Sequence, residues 1–300
     1  SIGSGDKYTG GHIVLTAGLS TAASHGTGGA VSLTTGEGEP STSGAVIIKT
    51  LNAGASGVSG TLSFTSGTAS GGNSGQMVLA TGSATNGEGG DIIVSVGKSK
   101  TDAGGDVWVT AGHSDSQSGG AVSLTTGEGT TDTSGAVVIK TMNAGTSGVS
   151  GMLSFTSGTA SSGTSGHINM FTGSATNGKG GDFLLSVGSG DKYSGGDIIV
   201  SAGLTTANSK VGGSISLTAG YAESVTGAVG GYYHTTAGRG QSFSGGSVSL
   251  TTGEGTHTTS GGIVFRTVNA GTSGVSGWMS FTSGTTSSGS SGLIKMATGS

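Results

Sequence analysis

Glycine recurs about every fifteen residues along this chain of 300 residues, and each time it opens the same short phrase. The phrase has the form Gly-x-apolar-x-apolar-x-small, as in Gly29-Ala30-Val31-Ser32-Leu33-Thr34-Thr35. Self-similarity at a fixed period is typical of repeat architectures and leaves no room for a conventional globular domain. The phrase starts at Gly11, Gly29, Gly44, Gly60, Gly75, Gly90, Gly105, Gly120, Gly135, Gly151, Gly166, Gly181, Gly196, Gly213, Gly231, Gly246, Gly261, Gly277 and Gly292.

Composition restricts the class of protein further. The chain has 67 glycines, 1 proline and 31% hydrophobic residues, but the glycines are phased and the apolar residues alternate, which a flexible linker does not require. With 9% charged residues and a net charge of −4, it lacks the basic stripe that nucleic acid demands. The absence of cysteine excludes disulfides and thiolate metal sites. No apolar run approaches the roughly 20 residues needed to span a bilayer.

The apolar residues of a phrase occupy its third and fifth positions, for example Val31 and Leu33. Alternation with period two predicts a strand with one face inward. The segments between phrases, such as Ser83-Ala84-Thr85-Asn86-Gly87-Glu88-Gly89, have the composition of turns.

Outward positions differ between odd-numbered and even-numbered phrases. Seven even phrases have the sequence Ser-Leu-Thr or Ser-Phe-Thr at their fourth to sixth positions. Most odd phrases have a β-branched residue or tryptophan at the fourth position. The segment from Gly29 returns from Gly120 six phrases later and, nearly unchanged, from Gly246 after eight more. Six and eight share the factor two but not three, which favours two strands per coil.

The sequence therefore predicts an all-β fold: a parallel β-solenoid (β-helix or β-roll) with two strands per coil of about 30 residues. Residues 1–300 are predicted to be one continuous array and, because polar capping segments are missing, a window of a longer repeat protein. An antiparallel meander is the alternative. One inward column is predicted to contain Leu33, Phe64, Val94, Leu124 and Phe155, and the facing column Ile48, Leu79, Val109 and Ile139.

The two outer faces are the candidate functional surfaces. The odd face, predicted to mediate assembly, consists of Val14, Ile47, Val78, Trp108, Val138, Ile199 and Val264. The hydroxyl face consists of Ser32, Thr34, Ser63, Thr65, Ser123, Thr125, Ser154, Thr156, Ser216, Thr218, Ser249, Thr251, Ser280 and Thr282. The hydroxyl face suits packing against an identical sheet, ordering of ice, or plain solvation with O-linked glycans. The odd face suits burial against another subunit or reflects β-propensity alone.

Catalytic and metal-binding patterns are not apparent. The six histidines, His12, His25, His113, His167, His234 and His257, have no repeated partner at ligand spacing, and we interpret them as surface residues. Four aspartates follow Gly-Gly pairs in a way that partly matches a calcium-binding roll motif, although solvated turn carboxylates explain them as well: Asp91, Asp106, Asp182 and Asp197. We predict no enzyme activity, no cofactor and no bound metal.

Two phrases, Gly-Gly-Asp-Ile-Ile-Val-Ser-Val-Gly and Ser-Gly-Ala-Val-x-Ile-Lys-Thr, resemble the Gly/Ser/Thr-rich β-solenoid repeats of algal and protist cell-surface proteins and extracellular fibres. The resemblance implies an extracellular or cell-surface structural protein that forms a fibre, hair or wall filament. The expected partner is the chain itself, as a homo-oligomeric filament, with glycans as a further class, no nucleic acid and no membrane span. An ice-binding solenoid that uses the Ser-x-Thr residues and an adhesin stalk are the alternative functions.

Overall fold

The computed structural model describes residues 12–21, 26–223 and 227–298. The first phrase start, Gly11, and His25 lie outside these ranges. Within them the chain contains no helix and no strand; its regular features are bends and a few turns between the phrases. The chain divides into two units, Ser1–Met152 and Leu153–Ser300.

The predicted parallel β-solenoid is wrong, because neither a sheet nor a buried core is present in the described ranges. The two predicted inward columns are solvent-exposed: their side chains range from 56% exposed at Phe155 to 74% at Leu79. The accessible surface of 29880 Å² also far exceeds the ~11,000 Å² of a folded monomer of this mass. The phrases therefore do not cover one another.

The alternation within a phrase is nevertheless visible in the exposure of its side chains. From the second phrase onward, third-position residues range from 46% exposed at Met279 to 65% at Tyr233. Large apolar residues at the fourth position range from 70% at Val78 to 86% at Ile199. Where the fourth residue is large and apolar, the third-position side chain is thus less exposed than the fourth. Fifth-position side chains do not follow this order, since Leu79 is 74% exposed and Val78 70%, and no second layer covers any of them in the part of the chain that is described.

Consecutive phrases meet at one place, where the loop between them closes. At ten of these places the backbone N–H of the opening glycine donates a hydrogen bond to the carbonyl of the glycine that follows the preceding phrase. Such bonds join Gly29 to Gly18 at 2.8 Å and Gly196 to Gly188 at 3.3 Å, and similar ones close eight further loops. Across the described residues, these bonds and one inside the turn 54–57 are the whole set of backbone–backbone hydrogen bonds. A sheet needs a ladder of such bonds along the strands, and a loop base in the described ranges supplies at most one.

The same place explains why the phrase opens on glycine and why its seventh residue is small or β-branched. A β-carbon added to an opening glycine would meet the seventh side chain of the preceding phrase, at 2.5 Å from Val187 for Gly196 and 3.7 Å from Ser66 for Gly75. We call this approach the corner contact; it recurs at every phrase start from Gly29 to Gly292. Val187 is 41% exposed, less than any other large apolar side chain of the described chain. The period of the sequence is thus a period of loop bases.

Candidate association surface

The predicted assembly residues of the odd phrases are all exposed. Their exposed fractions run from 70% at Val78 through 85% at Trp108 to 86% at Ile199. The even phrases Gly90 and Gly181 place Ile93 and Leu184 at the same position, with 82% and 86% exposed. Fourth-position apolar side chains are therefore accessible in odd and even phrases alike, so exposure does not separate two faces.

The predicted hydroxyl residues, Ser32 to Thr282, are likewise exposed throughout. Because the described residues form no strand, the structure does not arrange these hydroxyls as a flat, regular grid. They remain candidate surface residues without a common plane.

One shallow groove contains a predicted assembly residue. It has a volume of about 350 Å³ and is lined by Phe64, Met77, Val78 and Leu79, which come from two consecutive phrases. Phe64 and Leu79 were predicted to face the core, but they line this open groove together with the outward residue Val78. The corner contact between Ser66 and Gly75 brings these two phrases together.

The structure does not gather metal ligands. No group of three or more His, Asp or Glu side chains able to hold a metal ion occurs in the described ranges, so Asp91, Asp106, Asp182 and Asp197 do not form such a group. The carboxylate of Asp182 accepts a hydrogen bond from the Nζ of Lys179 at 2.6 Å, in an exposed ion pair. His113 Nε2 lies 3.1 Å from Asp115 Oδ1, also at the surface. These contacts are local and link residues two or three positions apart.

A repeated loop is the feature that the phrase pattern alone overlooks. The sequence Asn-Ala-Gly-x-Ser-Gly-Val-Ser-Gly occurs at 52–60, 143–151 and 269–277, and we call these segments the valine loops. Their valines, Val58, Val149 and Val275, are 97%, 97% and 96% exposed, more than any other large apolar side chain described. The sequence signal that identifies the valine loops is a valine that recurs within segments of otherwise small and polar residues.

No helix long and apolar enough to cross a membrane occurs in the described part of the chain. Comparison with known proteins yields no matching family model, no matching curated protein and no matching solved structure.

Proposed function

We propose that this chain is a structural repeat protein that associates with copies of itself to build an extracellular fibre or wall filament. The observation that carries the proposal is the exposure of its apolar side chains. Each phrase from Gly29 onward offers two to four of them to solvent, and the described residues include no buried hydrophobic side chain.

Exposed apolar side chains favour association because burying one fully is worth about 1.5–3 kcal/mol. A repeat that recurs along the whole chain multiplies this gain, since the second and later contacts between two chains are intramolecular once the first has formed. Exposed apolar side chains in this number are unusual for a protein that stays monomeric in water. The extracellular location rests on the resemblance of the Gly-Gly-Asp and Lys-Thr phrases to surface proteins of algae and protists.

The proposal is tested by adding charge at the fourth position of two odd phrases. We expect the double variant Val78→Asp, Val138→Asp to associate only at higher protein concentration than the wild type, as measured by sedimentation velocity, and to form fewer filaments in electron micrographs. The matched control is Ser63→Asp, Ser154→Asp, which adds the same charge at the fourth position of two even phrases.

Three outcomes count against parts of the proposal. A wild-type chain that stays monomeric at every soluble concentration overturns self-association altogether. Valine variants that assemble into filaments of native width exclude the odd-phrase residues as the interface. If the serine variants alone lose assembly, the hydroxyl residues carry it.

A further inference from the structure

The three valine loops have a defined local shape. In the first, the N–H of Gly57 donates to the carbonyl of Gly54 at 3.2 Å, which closes a turn around Ala55 and Ser56. A β-carbon on Gly57 would lie 3.3 Å from Cβ of Ala53, and the equivalent distances are 3.4 Å for Gly148 to Ala144 and for Gly274 to Ala270. A turn thus forms at the same position in all three loops, closed by this hydrogen bond in the first, and an exposed valine lies just beyond it.

Each valine loop is preceded by a cation and a further exposed apolar residue. The cations are Lys49, Lys140 and Arg266 at the sixth position of the preceding phrase. The apolar residues are Leu51, Met142 and Val268, which are 77%, 74% and 74% exposed. At the third copy, Arg266, Thr267, Val268 and Asn269 line a groove of about 390 Å³. At this copy one positive charge and one exposed apolar side chain thus line the same groove, which fits a carboxylate on a partner.

The chain itself carries a matching acidic loop for every valine loop. The segments 36–44, 127–135 and 253–261 begin Gly-Glu-Gly, and we call them the acidic loops. Each one leads directly into the phrase whose sixth residue is the cation. The second glycine fixes their shape: a β-carbon on Gly129 would lie 2.5 Å from the backbone oxygen of Thr133, and Gly38 and Gly255 make the same close approach. Glu37, Glu128 and Glu254 are exposed on these loops.

No ion pair joins these opposite charges among the described residues. Among the described residues, the ion pairs are those of Lys179 with Asp182 and of His113 with Asp115, and none involves a cation of a valine loop or a glutamate of an acidic loop. An acidic loop precedes, and a valine loop follows, each of the three phrases that carry a cation. The two kinds of loop are therefore equal in number, and head-to-tail contacts between copies can pair all of them.

We propose that each valine loop docks onto an acidic loop of a second copy of this chain, with Lys49, Lys140 and Arg266 facing Glu37, Glu128 and Glu254. The valine at the tip covers apolar surface of the second copy beside the ion pair. This inference rests on the proposed self-association and specifies the contact by which it occurs. Used head-to-tail without ring closure, this contact extends a row of copies, as the proposed filament requires.

Charge reversal on each side tests the contact. The basic-side variant is Lys49→Glu, Lys140→Glu, Arg266→Glu, and the acidic-side variant is Glu37→Lys, Glu128→Lys, Glu254→Lys. We expect each variant alone to need about tenfold more protein than the wild type for half-maximal association in sedimentation velocity, because three attractive pairs become repulsive. An equimolar mixture of the two variants restores the attractive pairs and is expected to associate at the wild-type concentration.

The matched control is Lys98→Glu, Lys100→Glu, Lys210→Glu, which changes the net charge by the same amount at exposed loop positions elsewhere. It is expected to associate like the wild type. A second variant, Val58→Ser, Val149→Ser, Val275→Ser, removes the apolar tips without altering charge and is expected to weaken association about tenfold.

The outcomes separate this inference from the proposed function. A wild-type chain that never associates overturns both. A wild-type chain that associates, with charge-reversed variants that do so equally well, overturns the loop contact and leaves self-association intact. Variants that lose association and are not restored by mixing show that the loops matter for another reason, and this outcome too overturns the proposed pairing.

Discussion

Replacing Gly196 by alanine is the most direct test of the corner contact. A β-carbon at this position would lie 2.5 Å from Cγ1 of Val187, the closest approach that any opening glycine makes to a side chain. The valine cannot easily turn away, because a β-branched side chain has few accessible χ1 rotamers. The loop base must therefore open, which breaks the 3.3 Å hydrogen bond from the N–H of Gly196 to the carbonyl of Gly188.

Two opposing terms set the size of the effect. Overpacking by one methyl group costs about 1–3 kcal/mol. Replacing glycine by alanine restricts the open chain and returns about 0.4–1 kcal/mol. The difference between the two ranges runs from about 0 to 2.6 kcal/mol. Its midpoint, about 1.3 kcal/mol, corresponds to a roughly ninefold loss of protection of the residue-196 amide in hydrogen exchange followed by NMR.

Two further variants show whether the clash is the cause. Gly203→Ala adds a methyl group where no atom lies within 4 Å, and it should leave the residue-196 amide unchanged. Adding Val187→Ala to Gly196→Ala removes the obstructing methyl groups and should restore protection. Equal protection in the wild type and in Gly196→Ala would refute the corner contact as a steric constraint, as would an equal loss in Gly203→Ala.

Three other expectations follow from the exposed state of the chain. Dilute, unassociated protein should show no cooperative endotherm in calorimetry, because the described residues bury no core, and a sharp transition would contradict this. Phe64→Ala should leave the hydrogen exchange of the loop-base amides within about twofold of the wild type, since the Phe64 side chain is already 60% exposed. Removing a buried phenylalanine side chain would cost about 3–5 kcal/mol. A large loss of protection at those amides would therefore restore the case for a core. The Gly181 amide donates a hydrogen bond to the carbonyl of Gly173 at 3.3 Å. Lys179→Ala should change the hydrogen exchange of this amide by about twofold at most, because the Lys179–Asp182 ion pair is exposed. A tenfold change would show that the ion pair holds the loop closed.

The local features of the chain could be predicted from its sequence because they depend on neighbouring residues. The phase of the glycines, the turn composition of segments such as 83–89 and the small seventh residue all correspond to the loop bases. The alternation within a phrase also predicts that Val31 is less exposed than Ile47, with 55% against 78%. None of these features requires two distant phrases to meet.

The solenoid prediction failed at the step from one phrase to many. A period of two shows that a segment can be a strand, but a sheet also requires ladder hydrogen bonds to another segment. Each phrase supplies two to four large apolar residues for burial. Glycine, with 67 copies, loses more conformational freedom on ordering than any other residue. The free energy gained by covering Leu33 or Val94 in a thin two-layer coil is small compared with this loss of conformational entropy.

Two arguments for the coil also lose their basis. In a solenoid with one phrase per coil, Asp91 and Asp106 would stack at strand spacing and repel, which favours two phrases per coil. Without stacked strands there is no such repulsion to avoid. Odd and even phrases differ in the residue type at their fourth position. In the single chain both sets of side chains are exposed, so this difference does not correspond to two different faces. The phrase pattern also does not identify the valine loops, because it describes only the strand-like segments and assigns every segment between them to a turn.

Weak contacts that repeat are well suited to a chain of this kind. A single loop pair contributes one exposed ion pair and one partly covered valine, which is too little to hold two copies together. Three pairs formed between the same two copies act together, because each contact raises the effective concentration for the next. Ordering of the apolar side chains then accompanies association, and the stability of the ordered state depends on protein concentration. On this proposal the extended exposure of the single chain is the condition for assembly, because side chains buried within one copy would be lost to contacts between copies.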